Sequence, residues 1–459
     1  MNSNFNLLKN TDSYKCTMYR SYCPKLEILY SYLESRGGRF NETMFFGLQY
    51  YLNMIKGVQV TKEKIDDAQI FWEAHFGRKD IFNREGWEYI LNVHNGKLPL
   101  KIKSVKEGSI IPTGNILMSI ENTDPKCFWL TTWVETLLLK IFYTITIATQ
   151  SHNIKKDITK FLEKSGTTSE IEWKCHDFSF RGNFSEESAA LGAASHLLSF
   201  MGTDTVSGIT LLQEHYGAGM CGHSIPATEH SNMSSFGKAN EITACRNFLN
   251  QYPTGLIACV SDTWDIYNCV ENIWCGALKK EVCSRNGTLV IRPDSGDYFD
   301  VLPKIMKMAS ERIGSVDNSK GYTTLDKHVR FIWGDSMRPD TINALYEHII
   351  KKGWSADNLA VGSGGGLMVE GITRDTNKFA IKASAARIDG KWTDIFKDPI
   401  TDTGKKSKKG RLKLIKSNGI YQTVSESHSP DIKDELELKF ENGELFNTTN
   451  LDQIKKNII

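Results

Sequence analysis

The sequence predicts an α/β fold in which a parallel sheet is accompanied by a second, smaller α+β domain that is discontinuous in the chain. Four short apolar runs between residues 256 and 361 each end in polar residues or glycine and precede a helical pattern, which is typical of βα repeats. Strand-like segments return after residue 385, and we expect them to pack back onto the first part of the chain. The predicted smaller domain is therefore 1–160 plus 386–459, and the sheet domain is 161–385.

The first 150 residues mix both kinds of secondary structure. The apolar and aromatic stretch Leu26 to Leu33 opens this part of the chain, and helix-like patterns cover Thr43 to Ile55 and Thr61 to Phe76. Strand-like pieces follow at Leu98 to Lys103 and at Ile110 to Ile120, with turn residues around them. This mixture indicates an α+β lobe.

The segment Phe128 to Ala148 has the most membrane-like composition. Glu135, Lys140 and several threonines interrupt it, so a buried amphipathic helix fits better than a membrane span. The segment Met1 to Asn10 has neither a basic start nor a long apolar stretch, so we expect no signal peptide or anchor there. A soluble, cytoplasmic protein without membrane partners is the expectation.

Charge and cysteine spacing exclude further classes of function. The chain of 459 residues carries 56 Lys and Arg against 54 Asp and Glu, which leaves no basic excess for a nucleic-acid partner. The ten cysteines contain no C-x-x-C pair that could clamp zinc, and no metal ligand is assigned directly. We expect reduced intracellular thiols.

The four apolar runs share one property, a polar or glycine-rich sequence directly after each predicted strand. Because the carboxyl ends of parallel strands meet at one edge, we expect these residues to build a common site in a barrel or doubly wound sheet. The runs with their following residues are Leu256 to Val260 before Ser261-Asp262, Leu289 to Ile291 before Arg292 to Gly296, Val329 to Trp333 before Gly334 to Ser336, and Leu359 to Val361 before Gly362 to Gly366.

The loop Gly362 to Gly366 suggests anion binding, because glycines let backbone N–H groups surround a phosphate. It lacks the ending of a Walker loop and the spacing of a dinucleotide fingerprint. Arg374 could supply a bidentate phosphate donor, although a surface ion pair with Asp375 is equally compatible with the local sequence.

Arg292 and Asp294 put a cation and a carboxylate at a strand end, a pair that suits a polyol phosphate. Gly334 and Asp335 again put a carboxylate after a predicted strand, although a lone Asp in that place is more often a helix N-cap.

His230 is a candidate base or nucleophile. Its neighbour Glu229 points to the opposite face of an extended segment, so Asp262 is the better orienting acid. Most histidines have neither role, and the sequence alone leaves a structural role open.

Aromatic and acidic residues occur in two further segments. In His176 to Gly182, Phe178 and Phe180 could be core residues of a strand, or a ring-stacking shelf beside Arg181. Gly202 to Thr205 offers the carboxylate of Asp204 at a tight turn, which by itself is most often only a turn.

Taken together and in order, these segments resemble the nicotinamide phosphoribosyltransferase family, of the type II phosphoribosyltransferases. The similarity extends from near the N-terminus to about residue 415. The segments that carry it are Thr11 to Lys15, His176 to Phe178 with Arg181-Gly182, Gly202 to Thr205, Glu229 to Ser231, Ser261-Asp262 with Asp265 to Asn268, Ile291 to Gly296, Gly334-Asp335, Gly362 to Gly366, Thr373 to Asp375 and Ser407 to Arg411.

The resemblance implies transfer of the 5-phosphoribosyl group from phosphoribosyl pyrophosphate to nicotinamide, giving nicotinamide mononucleotide and pyrophosphate. It also implies Mg²⁺, an ATP-dependent phosphorylation of a histidine, and a homodimer with active sites shared between subunits. The implied fold is an irregular α/β barrel with a smaller domain. The alternatives are a nicotinate phosphoribosyltransferase and, from another class, a non-catalytic protein that binds NAD precursors.

The resemblance also implies roles for individual residues. The nicotinamide site would comprise Phe178, Arg181 and Asp204, with Asp12 and Tyr14 from the partner subunit. His230 would be phosphorylated, with Asp262 as its orienting acid, and Asp294 would also be a catalytic residue. The phosphoribosyl group would contact Arg292, Asp294, Gly334, Asp335, Gly364, Gly365 and Arg374, and pyrophosphate or ATP would contact Arg36, His230, Lys382 and Lys397. Since a carboxylate accepts from a carboxamide but repels nicotinate, Asp204 favours nicotinamide.

Overall fold

The computed structural model describes residues 5–401, 407–428 and 431–458. Residues 1–4, and with them the start of the segment Met1 to Asn10, lie outside the described residues, as do residues 402–406. The chain divides into two compact units. The first comprises Met1–Thr149, Glu214–Gly217 and Ile372–Ile459, and the second comprises Gln150–Gln213 and Ala218–Gly371.

The strands in chain order are β1 Leu26–Ser35, β2 Glu42–Met44, β3 Leu100–Ser104, β4 Ile110–Pro112, β5 Ile116–Asn122, β6 Cys175–Asp177, β7 Ile257–Val260, β8 Leu289–Arg292, β9 Ser315–Asp317, β10 Thr323–Leu325, β11 Val329–Trp333, β12 Leu359–Ser363, β13 Phe379–Ile388, β14 Lys391–Asp394, β15 Leu412–Ser417, β16 Ile420–Ser425, β17 Glu437–Glu441 and β18 Glu444–Leu445.

The α-helices are α1 Lys15–Met18, α2 Leu48–Ile55, α3 Lys62–Phe76, α4 Arg84–Val93, α5 Leu130–Trp133, α6 Glu135–Leu138, α7 Ile141–Ser165, α8 Glu186–His196, α9 Val206–Tyr216, α10 His230–Ser234, α11 Glu241–Gln251, α12 Ile266–Asn268, α13 Lys279–Ser284, α14 Tyr298–Arg312, α15 Pro339–Lys351, α16 Gly365–Met368 and α17 Leu451–Lys456. A π-helix covers Cys269–Ala277. Short 3₁₀ helices cover Leu7–Lys9, Pro125–Cys127, Ile171–Trp173, Phe180–Gly182, Lys238–Asn240, Ala356–Asn358, Arg374–Thr376 and Glu426–His428.

The first unit contains a seven-stranded sheet in the order β14-β13-β1-β5-β3-β17-β18. Its neighbouring strands are antiparallel, and Leu33 of β1 lies opposite Ile381 of β13 and Met118 of β5. Strand β3 alternates buried Leu100 and Ile102 with half-buried lysines, so one of its faces packs on a core. Strands from both ends of the chain therefore form one sheet.

The second unit contains a five-stranded parallel sheet in the order β6-β12-β11-β8-β7. Strands β7, β8, β11 and β12 are the four predicted strands, and nearly all of their apolar residues are buried, as expected for parallel strands covered on both faces. Single parallel bridges join Ala227 to Ala258, His223 to Gly202 and Thr203 to Asp177. The predicted α/β class is confirmed, and these bridges agree with an irregular barrel, whose closure stays a prediction.

Two segments that the sequence predicts as single helices are each divided into several elements in the structure. The pattern Thr43 to Ile55 divides into β2 and α2, because Gly47 turns the chain with a φ of 102° close to Thr144. The segment Phe128 to Ala148 divides into α5, α6 and the start of α7. Among the described residues no single helix has the length and apolar composition to cross a membrane, and only Pro125–Leu138 with Ile141–Ser165, bent by 42°, meet that test as a pair.

Candidate active site

The site in the second unit lies at the carboxyl edge of the parallel sheet. Phe178 follows β6, Asp262 follows β7, Asp294 follows β8, Gly334 follows β11, and Gly364 follows β12. Because the five strands are parallel and hydrogen-bonded in one sheet, the residues that follow them emerge at the same edge. The structure thus brings together the strand-end residues that the sequence predicts.

Phe178 is held against the sheet by its backbone and by its ring. Its N–H donates to the carbonyl of Ser363 at 2.9 Å, and the ring packs on the buried cluster Ala258, Val290 and Ile332. A Cβ at Gly362 would lie 1.9 Å from Phe178 Cε2, so only glycine admits the ring there. One predicted alternative, a strand continuing through Phe180, is wrong because β6 ends at Asp177 and Phe180–Gly182 is a 3₁₀ helix.

Asp204 is oriented by two side chains. His176 Nε2 lies 2.9 Å and Ser224 Oγ 2.6 Å from the same oxygen, Oδ1. Burial raises the pKa of Asp204, but the hydrogen bond and charge of His176, the hydroxyl of Ser224 and the charge of Arg292 outweigh this effect and hold it below the usual value. Asp204 is therefore ionised at neutral pH.

His176 and Ser224 are not predicted as site residues, because their role depends on where the turn at Asp204 lies. One sequence signal points to His176, since it precedes Phe178 by two positions, and residues two apart in an extended segment share a face. The rings of His176 and Phe178 are 4.9 Å apart in the structure, just where β6 ends.

His230 begins α10, and its imidazole lies between two carboxylates and a hydroxyl. Its Nε2 is 3.8 Å from Asp262 Oδ1 and 3.7 Å from Asp294 Oδ2, and its Nδ1 is 3.2 Å from Thr263 Oγ1. The first two distances exceed those of hydrogen bonds, so the ring is surrounded but not locked by the carboxylates.

Asp262 is a buried acid, and only one of its two carboxylate oxygens accepts hydrogen bonds within the described residues. Its side chain is 4% exposed, and Oδ2 accepts from the Asp294 N–H at 2.9 Å and from Ser295 Oγ at 2.5 Å. Its other oxygen, Oδ1, is buried without a hydrogen-bond partner among the described residues. An unpaired carboxylate oxygen beside His230 is the kind of group that binds a cation or an imidazole N–H.

Arg292 offers an unused donor beside these acids. Its Nη2 donates to the Thr228 carbonyl at 3.2 Å, while its Nε is buried and has no partner within the described chain. A Cβ at Gly334 would lie 3.5 Å from Asp294 Oδ1, which brings that glycine next to the acid. Asp335 is exposed, and its carbonyl accepts from Trp333 Nε1.

The glycine loop is shaped by contacts on one side and open on the other. Gly366 is tightly packed, since a Cβ there would lie 2.4 Å from the Met337 carbonyl, whereas a Cβ at Gly365 would have no neighbour within 4 Å. A Cβ at Gly364 would meet the Phe178 carbonyl at 3.5 Å. Arg181 lies in the turn after Phe178 with its side chain 93% exposed and 4.0 Å from Glu229.

The remaining predicted residues belong to the first unit. Burial lowers the pKa of Lys382, and the charges of Arg36, Arg374 and Lys397 add to this effect while Glu135 opposes it. These three cations are therefore close enough to Lys382 to act on its charge. Arg36 Nε bonds the buried Glu34 at 2.7 Å, while its Nη2 is buried and lacks a partner among the described residues.

Arg374 Nη2 lies 2.9 Å from Asp375 Oδ1. This is the surface ion pair that the sequence offers as the alternative to a phosphate contact. Tyr14 is 62% exposed, and Asp12 accepts from Thr136 Oγ1 at 2.6 Å. These exposed side chains are available to a ligand or partner.

Two families match this chain. Residues 173–444, more than half of the chain, match the nicotinate phosphoribosyltransferase (NAPRTase) family, and residues 6–102 match the nicotinamide phosphoribosyltransferase N-terminal domain. The chain belongs to the nicotinate phosphoribosyltransferase family. The resemblance predicted from the ordered segments is thereby confirmed.

Within this family, curated relatives match along nearly their whole length. A nicotinamide phosphoribosyltransferase of Xanthomonas campestris is 43% identical over 460 residues, which cover 98% of this chain and 97% of that protein. A nicotinamide phosphoribosyltransferase of Acinetobacter baylyi is 31% identical over 496 residues, which cover 100% of this chain and 98% of that protein.

Solved structures match the fold at low identity. A nicotinate-nucleotide pyrophosphorylase from Pyrococcus furiosus gives a TM-score of 0.61 at 14% identity, covering 98% of this chain and 94% of that one. Human nicotinic acid phosphoribosyltransferase gives 0.57 at 13% identity, covering 98% and 92%. At this level of identity, the two structures show a similarity of fold alone.

Proposed function

We propose that this enzyme transfers the 5-phosphoribosyl group of phosphoribosyl pyrophosphate to nicotinamide, forming nicotinamide mononucleotide and pyrophosphate. The observation that carries the proposal is the carboxylate of Asp204, which is hydrogen-bonded to His176, whose ring lies 4.9 Å from that of Phe178. Arg292 and the glycine loop lie at the same edge of the parallel sheet. The names of the relatives that match along nearly the whole chain support the same reaction.

Asp204 would select the acceptor. Its Oδ1 is occupied by His176 and Ser224, which leaves Oδ2 to accept from the carboxamide NH₂ of nicotinamide. Nicotinate would bring a second carboxylate against the first, which costs binding free energy. Phe178 would stack on the pyridine ring, with Arg181 beside it and Asp12 and Tyr14 contributed by the partner subunit.

Transfer at the anomeric carbon breaks the bond to pyrophosphate and forms a bond to the ring nitrogen, through an oxocarbenium-like state. The protein then needs charge control more than a nucleophile. Arg292 would hold phosphate oxygens and Asp294 the ribose hydroxyls, with Gly334 and Asp335 beside them. Gly364 and Gly365 would offer backbone N–H groups to the 5′-phosphate, with Arg374, and Arg36, Lys382 and Lys397 would hold pyrophosphate or ATP phosphates.

Asp262 and Asp294 suit Mg²⁺, because they offer oxygen ligands and one of those oxygens, Asp262 Oδ1, is buried and unpaired among the described residues. When bound, Mg²⁺ would neutralise charge on the leaving pyrophosphate.

His230 would accept a phosphoryl group from ATP, with ADP as the leaving group. With Nε2–H directed at Asp262 and Asp294, the lone pair of Nδ1 is the nucleophile, and Thr263 Oγ1 has to turn away from it. The phosphohistidine would put negative charge beside the pyrophosphate site and so couple ATP hydrolysis to transfer.

One assay tests the proposal: product formation from phosphoribosyl pyrophosphate with nicotinamide or nicotinate, each with and without ATP. We expect turnover with nicotinamide, a much lower kcat/KM with nicotinate, and stimulation by ATP that His230→Ala loses. Equal or higher kcat/KM with nicotinate would assign the nicotinate reaction instead. No turnover with either acceptor would leave a binding protein.

A further inference from the structure

Three side chains of the types that ligate metals lie together in the first unit, among residues that the proposed reaction does not use. The ligand atoms of His94, Asp124 and Cys127 all lie within 4.8 Å of one another. We propose that these three side chains form a binding site for a divalent ion of the zinc type.

Two separate segments build this cluster. His94 follows the last residue of α4, and its N–H donates to the Ile90 carbonyl at 3.0 Å. Asp124 begins the 3₁₀ helix Pro125–Cys127, where its Oδ1 accepts from the Lys126 N–H at 2.8 Å. The helix turn then carries Cys127 back to the same place, and the other oxygen, Asp124 Oδ2, faces His94 Nε2 at 2.8 Å.

The donor set matches zinc chemistry. Imidazole nitrogen, carboxylate oxygen and thiolate sulfur are zinc ligands, and three protein ligands leave a fourth position for water. A thiolate disfavours Mg²⁺ and Ca²⁺, which prefer oxygen. Zn²⁺ with one thiolate, one carboxylate and a neutral imidazole has no net charge, so the occupied site is electrostatically balanced. Tyr89 also donates to Asp124 Oδ2 at 3.0 Å and would orient this ligand.

Occupation requires only small shifts. Zinc bonds of about 2.0–2.1 Å to nitrogen and oxygen and about 2.3 Å to sulfur separate tetrahedral ligand atoms by about 3.3–3.6 Å. The hydrogen bond between His94 and Asp124 would open slightly, and Cys127 would move inward. The side chains of His94 and Asp124 are 22% and 17% exposed, so an ion can reach the cluster from solvent.

The thiol changes most when the ion binds. Cys127 is fully buried, and burial followed by the Asp124 charge raises its pKa to about 12. The free thiol is therefore protonated at neutral pH. The bond that forms is metal to sulfur, the bond that breaks is sulfur to hydrogen, and the proton passes to solvent.

Cobalt(II) is a suitable spectroscopic probe, because a thiolate ligand gives a charge-transfer band that oxygen ligands lack. The full-length chain, stripped with a chelator, is titrated with Co²⁺ and then with Zn²⁺. We expect one equivalent of Co²⁺ to produce the band and Zn²⁺ to abolish it. Cys127→Ser should not show the band, and His94→Ala should weaken Co²⁺ binding by about tenfold or more.

The matched control is Cys23→Ser, which removes an exposed thiol of the same unit and should keep the band. The proposal is overturned if the wild-type chain gives no band, or if the band survives Cys127→Ser or disappears in Cys23→Ser. In the first case Asp124 serves only as a helix cap and hydrogen-bond partner. Should Cys127→Ser fail to fold, the less buried His94→Ala variant decides, with unchanged Co²⁺ affinity as the contrary result.

Discussion

At the residue scale, the role proposed for Asp204 makes a single side chain responsible for acceptor specificity. In Asp204→Asn, the amide oxygen can still accept from His176 and Ser224, which turns the NH₂ group towards the acceptor. Loss of a charge-assisted hydrogen bond of about 1.5–3 kcal/mol predicts a fall in kcat/KM for nicotinamide of about 10- to 100-fold. The kcat/KM for nicotinate should rise, because the repulsion is removed.

Steady-state kinetics with both acceptors measures this change in preference. Asp340→Asn is the matched control, since Asp340 is an exposed carboxylate of the same unit, and it should leave the ratio unchanged. An Asp204→Asn enzyme that kept the wild-type ratio of the two acceptors would show that another group selects the base.

At the scale of elements, the ring of Phe178, which follows β6, can pack closely on β12 because Gly362 has no side chain. Gly362→Ala would put a Cβ 1.9 Å from Phe178 Cε2, and the ring would have to leave its position on the sheet. We expect a higher KM for nicotinamide, a fall in kcat/KM of about tenfold or more, and a loss of stability of about 1–3 kcal/mol.

Gly219→Ala is the control for this packing effect, because its added Cβ would have no neighbour within 4 Å and its φ is not positive. It should match wild type in both kinetics and thermal unfolding. Normal nicotinamide kinetics in Gly362→Ala would contradict the role given to the Phe178 ring.

Lys174, directly before β6, gives a pH dependence of stability. It is 5% exposed, its Nζ donates to the Asp357 carbonyl, and burial lowers its pKa to about 8, with Arg330 adding to this effect and Asp357 and Glu170 opposing it. The unfolded chain keeps the usual pKa of about 10.4, so between these values it binds more protons than the folded chain.

Stability should therefore rise with pH across this window, because the cost of burying the ammonium ion is present below pH 8 and is relieved above it. The gain from this residue is at most about 3 kcal/mol. Urea unfolding at neutral and alkaline pH measures it as the difference between wild type and Lys174→Met, which lacks this titration. A difference that stays constant with pH would show that Lys174 does not titrate in this way.

The sequence predicts the parallel strands well because their signal is local. Each of β7, β8, β11 and β12 is an apolar run followed by a polar or glycine-rich turn, and burial inside the sheet requires that composition. The pairing of β1 with β13 has no such signal, because the register between strands about 350 residues apart depends on tertiary packing. Candidate site residues that follow strands are similarly predictable, whereas the contacts of His176 and Ser224 with Asp204 exist only once the turn at Asp204 has folded.

At the scale of the whole molecule, the proposed homodimer with shared active sites predicts complementation between two inactive variants. Tyr14→Ala should impair a site through the partner's contribution, and Phe178→Ala through the subunit that holds the sheet. In a mixed dimer one site then carries both changes and the other carries neither. Random mixing makes about half of the dimers mixed, so about one quarter of wild-type activity should return.

The experiment refolds or co-expresses the two variants together and compares product formation with each variant alone. Tyr14 is exposed in the single chain, so its loss should not unfold the protein, and circular dichroism of each variant checks this. Two Phe178→Ala preparations carrying different tags form the control and should stay inactive after mixing. Activity of the mixture equal to the mean of the two variants would instead place Tyr14 and Phe178 of one chain in the same site, or neither of them in any.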